Sequence, residues 1–547
     1  MGLKTDIKNC IKGEVDDTSK TRELYSHDAS LFELEPALVA FPKDSHDVQA
    51  VVKYVAAHKD ENPELSITAR SAGTDMSGGA INESIILDIN KHFNRIETTS
   101  TTSAHAQPGV FYRDFEKATL QHGALLPCYP ASRELCTIGG MVANNSGGEK
   151  SLEFGKTENF VKELKVVLAD GNEYTFKPLT RKDLDKKLAQ KDFEGSVYRK
   201  LFKLVDTKYD RIKAAKPHVS KNSTGYNLWD VWDREKGVFD VTKLIVGSQG
   251  TLGIVTDIKF RLVPARKHSG LLVTFLKDMD QLGEIINVVL TQKPASFESF
   301  DDHTLWLSIK FMPYFVKTLG VAGLIKLMIS LIPDGFMLLR GIPKLILMIE
   351  FNGETKEEVE EKINAMRTIL EPYHMAMERD PDEDSSRKFW IMRRESFNLL
   401  RKKVKDKHTA PFIDDLVVPP QYLPEFLPQL RRIIKKYGLL ATIAGHMGDG
   451  NFHIIPLMKI EERSERAKLR PAMKEVNELV LRYKGSLSGE HNDGMIRGPW
   501  LKQMYGPEML QIFRETKDIF DPDGIFNPHK KANADWDFSM AHIRQHF

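Results

Sequence analysis

Three glycine-rich turns fall within one stretch of this chain, and together they limit its fold more than any other feature. Arg70-Ser-Ala-Gly-Thr-Asp-Met-Ser-Gly-Gly79 separates two strand-like runs, Leu65–Ala69 and Ile85–Ile89. Thr137-Ile-Gly-Gly-Met-Val-Ala-Asn-Asn-Ser-Gly-Gly148 and Gly247-Ser-Gln-Gly-Thr-Leu-Gly253 follow. Successive backbone N–H groups in the first turn can form a nest for an anion such as a pyrophosphate. The Gly-Gly pairs of the second permit close approach to a flat ligand, with Thr137, Asn144, Asn145 and Ser146 offering hydrogen bonds. Any one of these could be ordinary turn chemistry. Three in one domain imply a long ligand lying across the loops, such as a dinucleotide. No GxGxxG opens a helix after a strand and no Walker lysine is present, so Rossmann and P-loop readings both fail.

Around these turns, Pro36 to Pro264 alternates short apolar strands with helices. Ala37–Ala40 reads as a strand, and Ser45 as the cap of a helix whose Val48, Val51, Val52 and Val55 form one face. Val161–Leu168 and Glu173–Phe176 are strands about a turn at Asp170-Gly171, and Arg181–Asp210 is charged and helical. A second α+β region opens near Leu271 and continues through helix Gln281–Leu290, strand Leu345–Glu350 and helix Lys356–Leu370. A charged helix is expected over Glu461–Tyr483. The expected division is an N-terminal segment 1–35, a ligand-binding domain 36–265, a second domain 266–440 with an apolar insertion 311–351, a segment 441–533 and a tail 534–547.

A second constellation is His446-Met-Gly-Asp-Gly-Asn-Phe-His453, with Glu490-His491 further on. The Gly-Asp-Gly-Asn run reads as a hairpin tip, which brings His446 and His453 together on facing strands. Glu490 adds a carboxylate, and this donor set with open positions suits Zn²⁺ or Mn²⁺ acting as a Lewis acid. His491 then stands beside the metal as a base, and Asp449 shapes the turn. A tight hairpin with two surface histidines is the alternative, because a metal site needs geometry as well as residue types. Within the helical run Lys388–Leu400, Arg393 lies in an apolar stripe between Phe389 and Phe397. A charge so placed wants an anion, either a substrate carboxylate or a nearby glutamate.

Bulk properties exclude several classes. At 547 residues the chain exceeds one core, and two or three domains are expected. A net charge of +2 gives no reason to invoke nucleic acid. Cys10, Cys128 and Cys136 form no CxxC pair and cannot hold a four-cysteine cluster, which suits reduced thiols in a cytoplasmic protein. The start shows no apolar signal region and fails the myristoylation pattern at Asp6. In the insertion, the longest apolar run, Leu319–Pro333, is interrupted by Lys326 and is too short to span a bilayer. Its lysines among Leu, Ile and Met make it a candidate for peripheral membrane contact, beside the plainer expectation of a buried helix pair.

Taken in order, the three turns, the histidine hairpin, Gly489-Glu-His491 and Asp521-Pro-Asp-Gly-Ile-Phe-Asn-Pro528 resemble the FAD-linked D-2-hydroxy acid dehydrogenases, a branch of the vanillyl-alcohol oxidase flavoproteins. The resemblance runs from about Pro36 to Lys530. It implies an α+β protein: a PCMH-type FAD-binding domain in two subdomains, an α+β cap, and a C-terminal segment returning to the FAD domain. It implies that Ser71, Gly73, Thr74, Ser77 and Gly78 cradle the FAD pyrophosphate. Pro130, Thr137, Gly139, Gly140, Asn144, Ser146, Gly148 and Ile254 would line the rest, with Asn527 near the flavin ring. Relatives with covalent flavin carry a histidine where Thr74 stands, so non-covalent FAD is expected. His446, His453 and Glu490 match the family's metal ligands, His491 its base, and Arg393 its Trp-x-x-Arg arginine. The implied reaction is oxidation of D-lactate, D-2-hydroxyglutarate or glycolate, with hydride passing to flavin N5.

Some positions depart from the pattern. Ile413 and Ile455 stand where the D-2-hydroxyglutarate enzymes have lysine and asparagine, which weakens recognition of a distal carboxylate. Asn492 replaces the glycine usual after the histidine. Ser486–Arg497 resembles a longer branch with a fused iron–sulfur domain; here such a relay would come from another polypeptide. The electron acceptor is left open among a quinone, a cytochrome, a flavoprotein and an iron–sulfur partner. Two further readings are a flavin-dependent transferase resembling alkyldihydroxyacetone-phosphate synthase, whose three-histidine run is missing, and a flavin subunit of a membrane-associated electron-transfer complex.

Overall fold

The computed structural model describes residues 2–302, 343–380, 389–390, 393 and 406–545. Three sheets position the site. In the first, Leu38–Phe41, Ile85–Asp88 and Ile67–Arg70 run parallel, with Glu14–Asp16 antiparallel at the edge. Helix Ser45–His58 buries Val48, Val51, Val52 and Val55 against it. The cap of that helix is Asp44 and not Ser45: its carboxylate accepts the Asp47 N–H at 3.1 Å, which leaves Ser45 as the first helical residue. The glycine turn Arg70–Gly79 thus joins two neighbouring parallel strands, as a loop at the carboxyl end of the first.

The second sheet is antiparallel, in the order Ile96–Thr99, Ser103–Ala106, Ile254–Arg261, Val161–Val167, Glu173–Phe176. Helices Phe193–Thr207 and Leu501–Phe520 contribute to the core beside it. The chain's end also returns to the first sheet, where the Ile67 N–H donates to Ile525 O at 2.8 Å and the Asn527 N–H to Ile67 O at 2.8 Å.

The third sheet is the cap. Its order is Ala376–Asp380, His268–Leu276, Leu345–Gly353, Ser296–Asp301, Leu440–His446, Asn451–Met458, His408–Thr409, antiparallel throughout. The division expected at residue 440 is corrected by this pairing: the histidine hairpin is two strands of the cap sheet, and the segment that leaves the cap begins after it. The helix expected over Glu461–Tyr483 is two helices, Arg463–Arg466 and Leu469–Arg482. Pro471 explains the break, since a residue without an N–H is accommodated only in a first turn. Of the apolar insertion, 311–342 lies outside the described residues; 343–351 enters the central strand Leu345–Gly353. Among the described residues, no helix is long and apolar enough to cross a membrane.

Candidate active site

The hairpin tip is a single turn of 3-10 helix, Met447–Asp449, closed by Gly450 at φ 64°. A side chain at 450 would be strained by that φ, and its Cβ would fall 1.8 Å from Val418 O. Register pairs Ala444 with His453 and His446 with Asn451. Alternation then puts Thr442, Ala444, His446, His453 and Ile455 on one wall of a large cavity. The two imidazole centroids are 5.3 Å apart.

The loop Ser486–Asp493 faces this hairpin. Asp415, fully buried, holds it: its Oδ2 accepts the N–H groups of Glu490 at 3.0 Å and His491 at 2.7 Å, while Oδ1 accepts Asn451 Nδ2 at 3.0 Å. The result is a common focus. His446, His453 and His491 bring their Nε2 atoms to 3.4, 3.3 and 3.9 Å from one atom, Glu490 Oε1. Each ring's other nitrogen faces a buried carboxylate. His446 Nδ1 is 2.7 Å from Glu298 Oε1, His453 Nδ1 3.3 Å from Asp414 Oδ1, and His491 Nδ1 2.7 Å from Asp414 Oδ2. A carboxylate on Nδ1 fixes the tautomer that leaves Nε2 unprotonated for a metal or a proton. The other oxygen of Glu490 lies 3.3 Å from Lys221 Nζ, which also reaches Asp449 Oδ2 at 3.3 Å and Gly148 O at 3.2 Å.

Charge follows this geometry. Burial opposes ionisation of Glu490, and Lys221 with His446 overcomes it, holding the carboxyl well below its usual range. Burial likewise works against Asp414, and the His491 and His453 rings outweigh it. Burial pushes the His453 ring down, but its bonds to Asp414 and Glu490 raise it to about 10. For His491, burial is outweighed by Asp415 and Asp414, and the ring is raised. Without a metal, the acids beside His453 and His491 therefore favour cationic rings, the electrostatic condition in which a divalent cation can replace protons and leave Nε2 free.

Two family models match the chain: the FAD binding domain over residues 36–177, and the C-terminal domain of FAD linked oxidases over residues 265–531. The chain belongs to the FAD-linked oxidases. Among curated proteins, it is 26% identical to D-2-hydroxyglutarate dehydrogenase of Pseudomonas putida, with 95% of this chain and 50% of that protein covered. The chain thus spans about half the length of the first curated relatives it matches. It is also 26% identical to D-lactate dehydrogenase of Archaeoglobus fulgidus, covering 94% of this chain and 98% of that one. A solved alkyldihydroxyacetonephosphate synthase superposes with TM-score 0.64 at 15% identity, over 94% of this chain and 82% of that chain, a likeness of fold alone. The fold is the expected one, a two-subdomain FAD-binding domain with an FAD-linked oxidase cap.

The glycine loops and the histidine focus border one cavity of about 810 Å³. Of the residues expected at the cofactor, Ser71, Gly73, Thr74, Pro130, Thr137, Gly140, Asn144 and Ser146 line it. The backbone N–H groups of Ser71 to Asp75 make no hydrogen bond within the described protein, and cavity-lining donors of this kind fit a pyrophosphate. Ser77, Gly78, Gly139, Gly148, Ile254 and Asn527 stand behind the lining. Gly139 and Gly148 allow close packing, since a Cβ there would meet Pro108 Cβ at 2.4 Å and Tyr129 O at 2.1 Å. Ile254 lies in the first subdomain's core. The Asn527 amide accepts from Thr68 Oγ1 at 2.8 Å and donates to Gly79 O at 2.8 Å and Gln249 O at 2.7 Å, locking two glycine turns together.

Arg393 lines the cavity, and its guanidinium pairs with Glu298, the glutamate that also holds His446. The two partners expected for it, glutamate and substrate, are thereby adjacent. Ile455 lines the cavity, whereas Ile413 belongs to the cap core. Asn492 adopts the glycine-like φ of 69°, and its Nδ2 donates to Asn144 O at 3.1 Å and Gly247 O at 2.9 Å. Sequence reasoning missed Glu298, Asp414, Asp415 and Lys221. For the adjacent aspartates a signal existed: two acids inside the apolar run Ala410–Pro419. For Lys221 there was none.

Proposed function

We propose that this chain oxidises a D-2-hydroxy acid, of the size of D-lactate, glycolate or D-2-hydroxyglutarate, to the 2-oxo acid. The carrying observation is the convergence of His446, His453 and His491 on Glu490 Oε1 at one end of the cavity that the glycine loops border. FAD, when bound, supplies the acceptor for the Cα hydrogen and its electron pair. His446, His453 and Glu490 would hold Zn²⁺ or Mn²⁺, which when bound polarises the substrate hydroxyl.

The chain's own groups do the rest. His491, its Nδ1 held by Asp414, presents Nε2 to take the hydroxyl proton. Arg393 meets the substrate carboxylate, because an arginine's five donors can serve Glu298 and a second carboxylate together. Buried Lys221 orients Glu490 from behind and keeps its Oε1 toward the rings. The apolar wall of Ala444 and Ile455 keeps the reacting end dry.

The test is anaerobic titration of the FAD- and metal-loaded protein with D- and L-acids, followed by the visible flavin band. Bleaching by one D-acid, abolished in His491→Ala, is expected. An oxidised band unchanged by every D-2-hydroxy acid would refute the reading.

A further inference from the structure

Asp75 is an acid placed inside the turn that should receive the cofactor's pyrophosphate. Its Oδ2 accepts the N–H groups of Ser77 at 2.9 Å and Gly79 at 2.7 Å and the Ser77 hydroxyl at 2.9 Å. Its Oδ1 accepts Asn144 Nδ2 at 3.1 Å, from the second glycine turn. The turn is therefore divided. The N–H groups of Ser71 to Asp75 are open to an anion, whereas those of Ser77 and Gly79 are already occupied by one.

The occupying carboxylate borders the cavity and, among the described residues, has no ion-pair partner within 4.0 Å. Two buried cations lie nearby; their hydrogen bonds go to neutral carbonyls, and their charges reach Asp75 and Asp28 only at longer range. Arg70 donates to His27 O at 2.9 Å and Tyr25 O at 3.2 Å, and Lys530 to Ile81 O at 2.9 Å. A second acid stands beside Asp75: the Ala29 N–H donates to Asp75 O at 2.9 Å, which brings the Asp28 carboxyl close. Burial and then Asp75 push that carboxyl up to about 7, the response of an acid beside another negative charge.

We propose that Asp75 sets the flavin affinity of this chain: its carboxylate braces the turn for the pyrophosphate while its charge repels it, so that FAD is held loosely and exchanges. The proposal rests on the FAD-binding reading of the cavity and names the residue that tunes it. Two roles are combined in one side chain, and two substitutions separate them. Asp75→Asn keeps an oxygen for the Ser77 and Gly79 N–H groups and removes the charge, together with the bond that Oδ1 accepts from Asn144 Nδ2. Asp75→Ala removes both brace and charge.

The experiment is titration of full-length apoprotein with FAD, read by quenching of flavin fluorescence, in wild type and both variants, with riboflavin as a probe lacking the pyrophosphate. Asp75→Asn is expected to bind FAD about tenfold more tightly than wild type at low salt, and the gap should narrow as ionic strength rises. Asp75→Ala should gain less, and riboflavin affinity should be the same in Asp75→Asn as in wild type. Unchanged or weaker FAD binding in Asp75→Asn overturns the proposal, as does an equal gain for riboflavin. A wild type that binds FAD while Asp75→Asn gains nothing defeats the proposal and leaves the FAD reading intact. Absence of binding in all three proteins defeats both.

Discussion

Asp414→Asn is the sharpest perturbation of the proposed metal centre, because one side chain orients two rings. Its two oxygens face His453 Nδ1 at 3.3 Å and His491 Nδ1 at 2.7 Å, and the rings stack at 4.9 Å between centroids. Asparagine keeps the size but offers one acceptor and one donor group. Whichever ring meets the amide N–H must accept with Nδ1, and its proton moves to Nε2. If that ring is His453, the atom that should bind metal is blocked; if His491, the atom that should take the substrate proton is blocked. Loss of such a partner costs about 10- to 100-fold in metal affinity or activity, or about 1.4–2.7 kcal/mol. Calorimetric titration of metal-stripped protein with Zn²⁺ and Mn²⁺ measures the first effect, and turnover at saturating metal the second. The fold should survive, since Asp415 and not Asp414 holds the N–H groups of Glu490 and His491. Wild-type metal affinity together with wild-type turnover in Asp414→Asn would sink the reasoning.

Two other outcomes are expected. In the metal-free protein, the raised His453 ring stabilises the fold fully below its unfolded pKa of about 6.5 and loses that contribution as pH rises through about 10; thermal unfolding with chelator should show Tm falling across that window, and metal affinity rising with pH. Lys221→Met leaves Glu490 and Asp449 buried without their shared cation; a destabilisation of about 3–5 kcal/mol is expected in denaturant unfolding without metal, shrinking when a divalent cation replaces the lost charge, and equal losses with and without metal would argue against a cation site there.

The parts of the site that could be read from sequence are those in which turn chemistry and ligand sit together. Gly450 must close the hairpin because only a residue tolerant of φ 64° fits under Val418 O, and that same turn carries His446 and His453 on its flanks. Strand alternation then decides which residues share the wall. The supporting groups obey no such local rule. Glu298 reaches His446 across 148 positions and Lys221 reaches Glu490 across 269, through a sheet pairing and a domain contact that composition does not announce. Glu298 could still have been suspected, since an acid in Ser296–Asp301, a strand buried at every position, needs a cation or a ring to hold its charge. The same logic applies to Asp414 and Asp415. Buried acids inside apolar runs are where the chain sets the protonation of groups it brings from elsewhere, and here Glu298, Asp414 and Asp415 match in number the three residues that would touch the metal. The expected division at residue 440 failed for a related reason: a boundary drawn where composition changes cannot see that Leu440–His446 completes a sheet begun at His268. That sheet places the histidines at the cap's face toward the glycine turns, so the proposed chemistry depends on the contact between two domains and not on either alone.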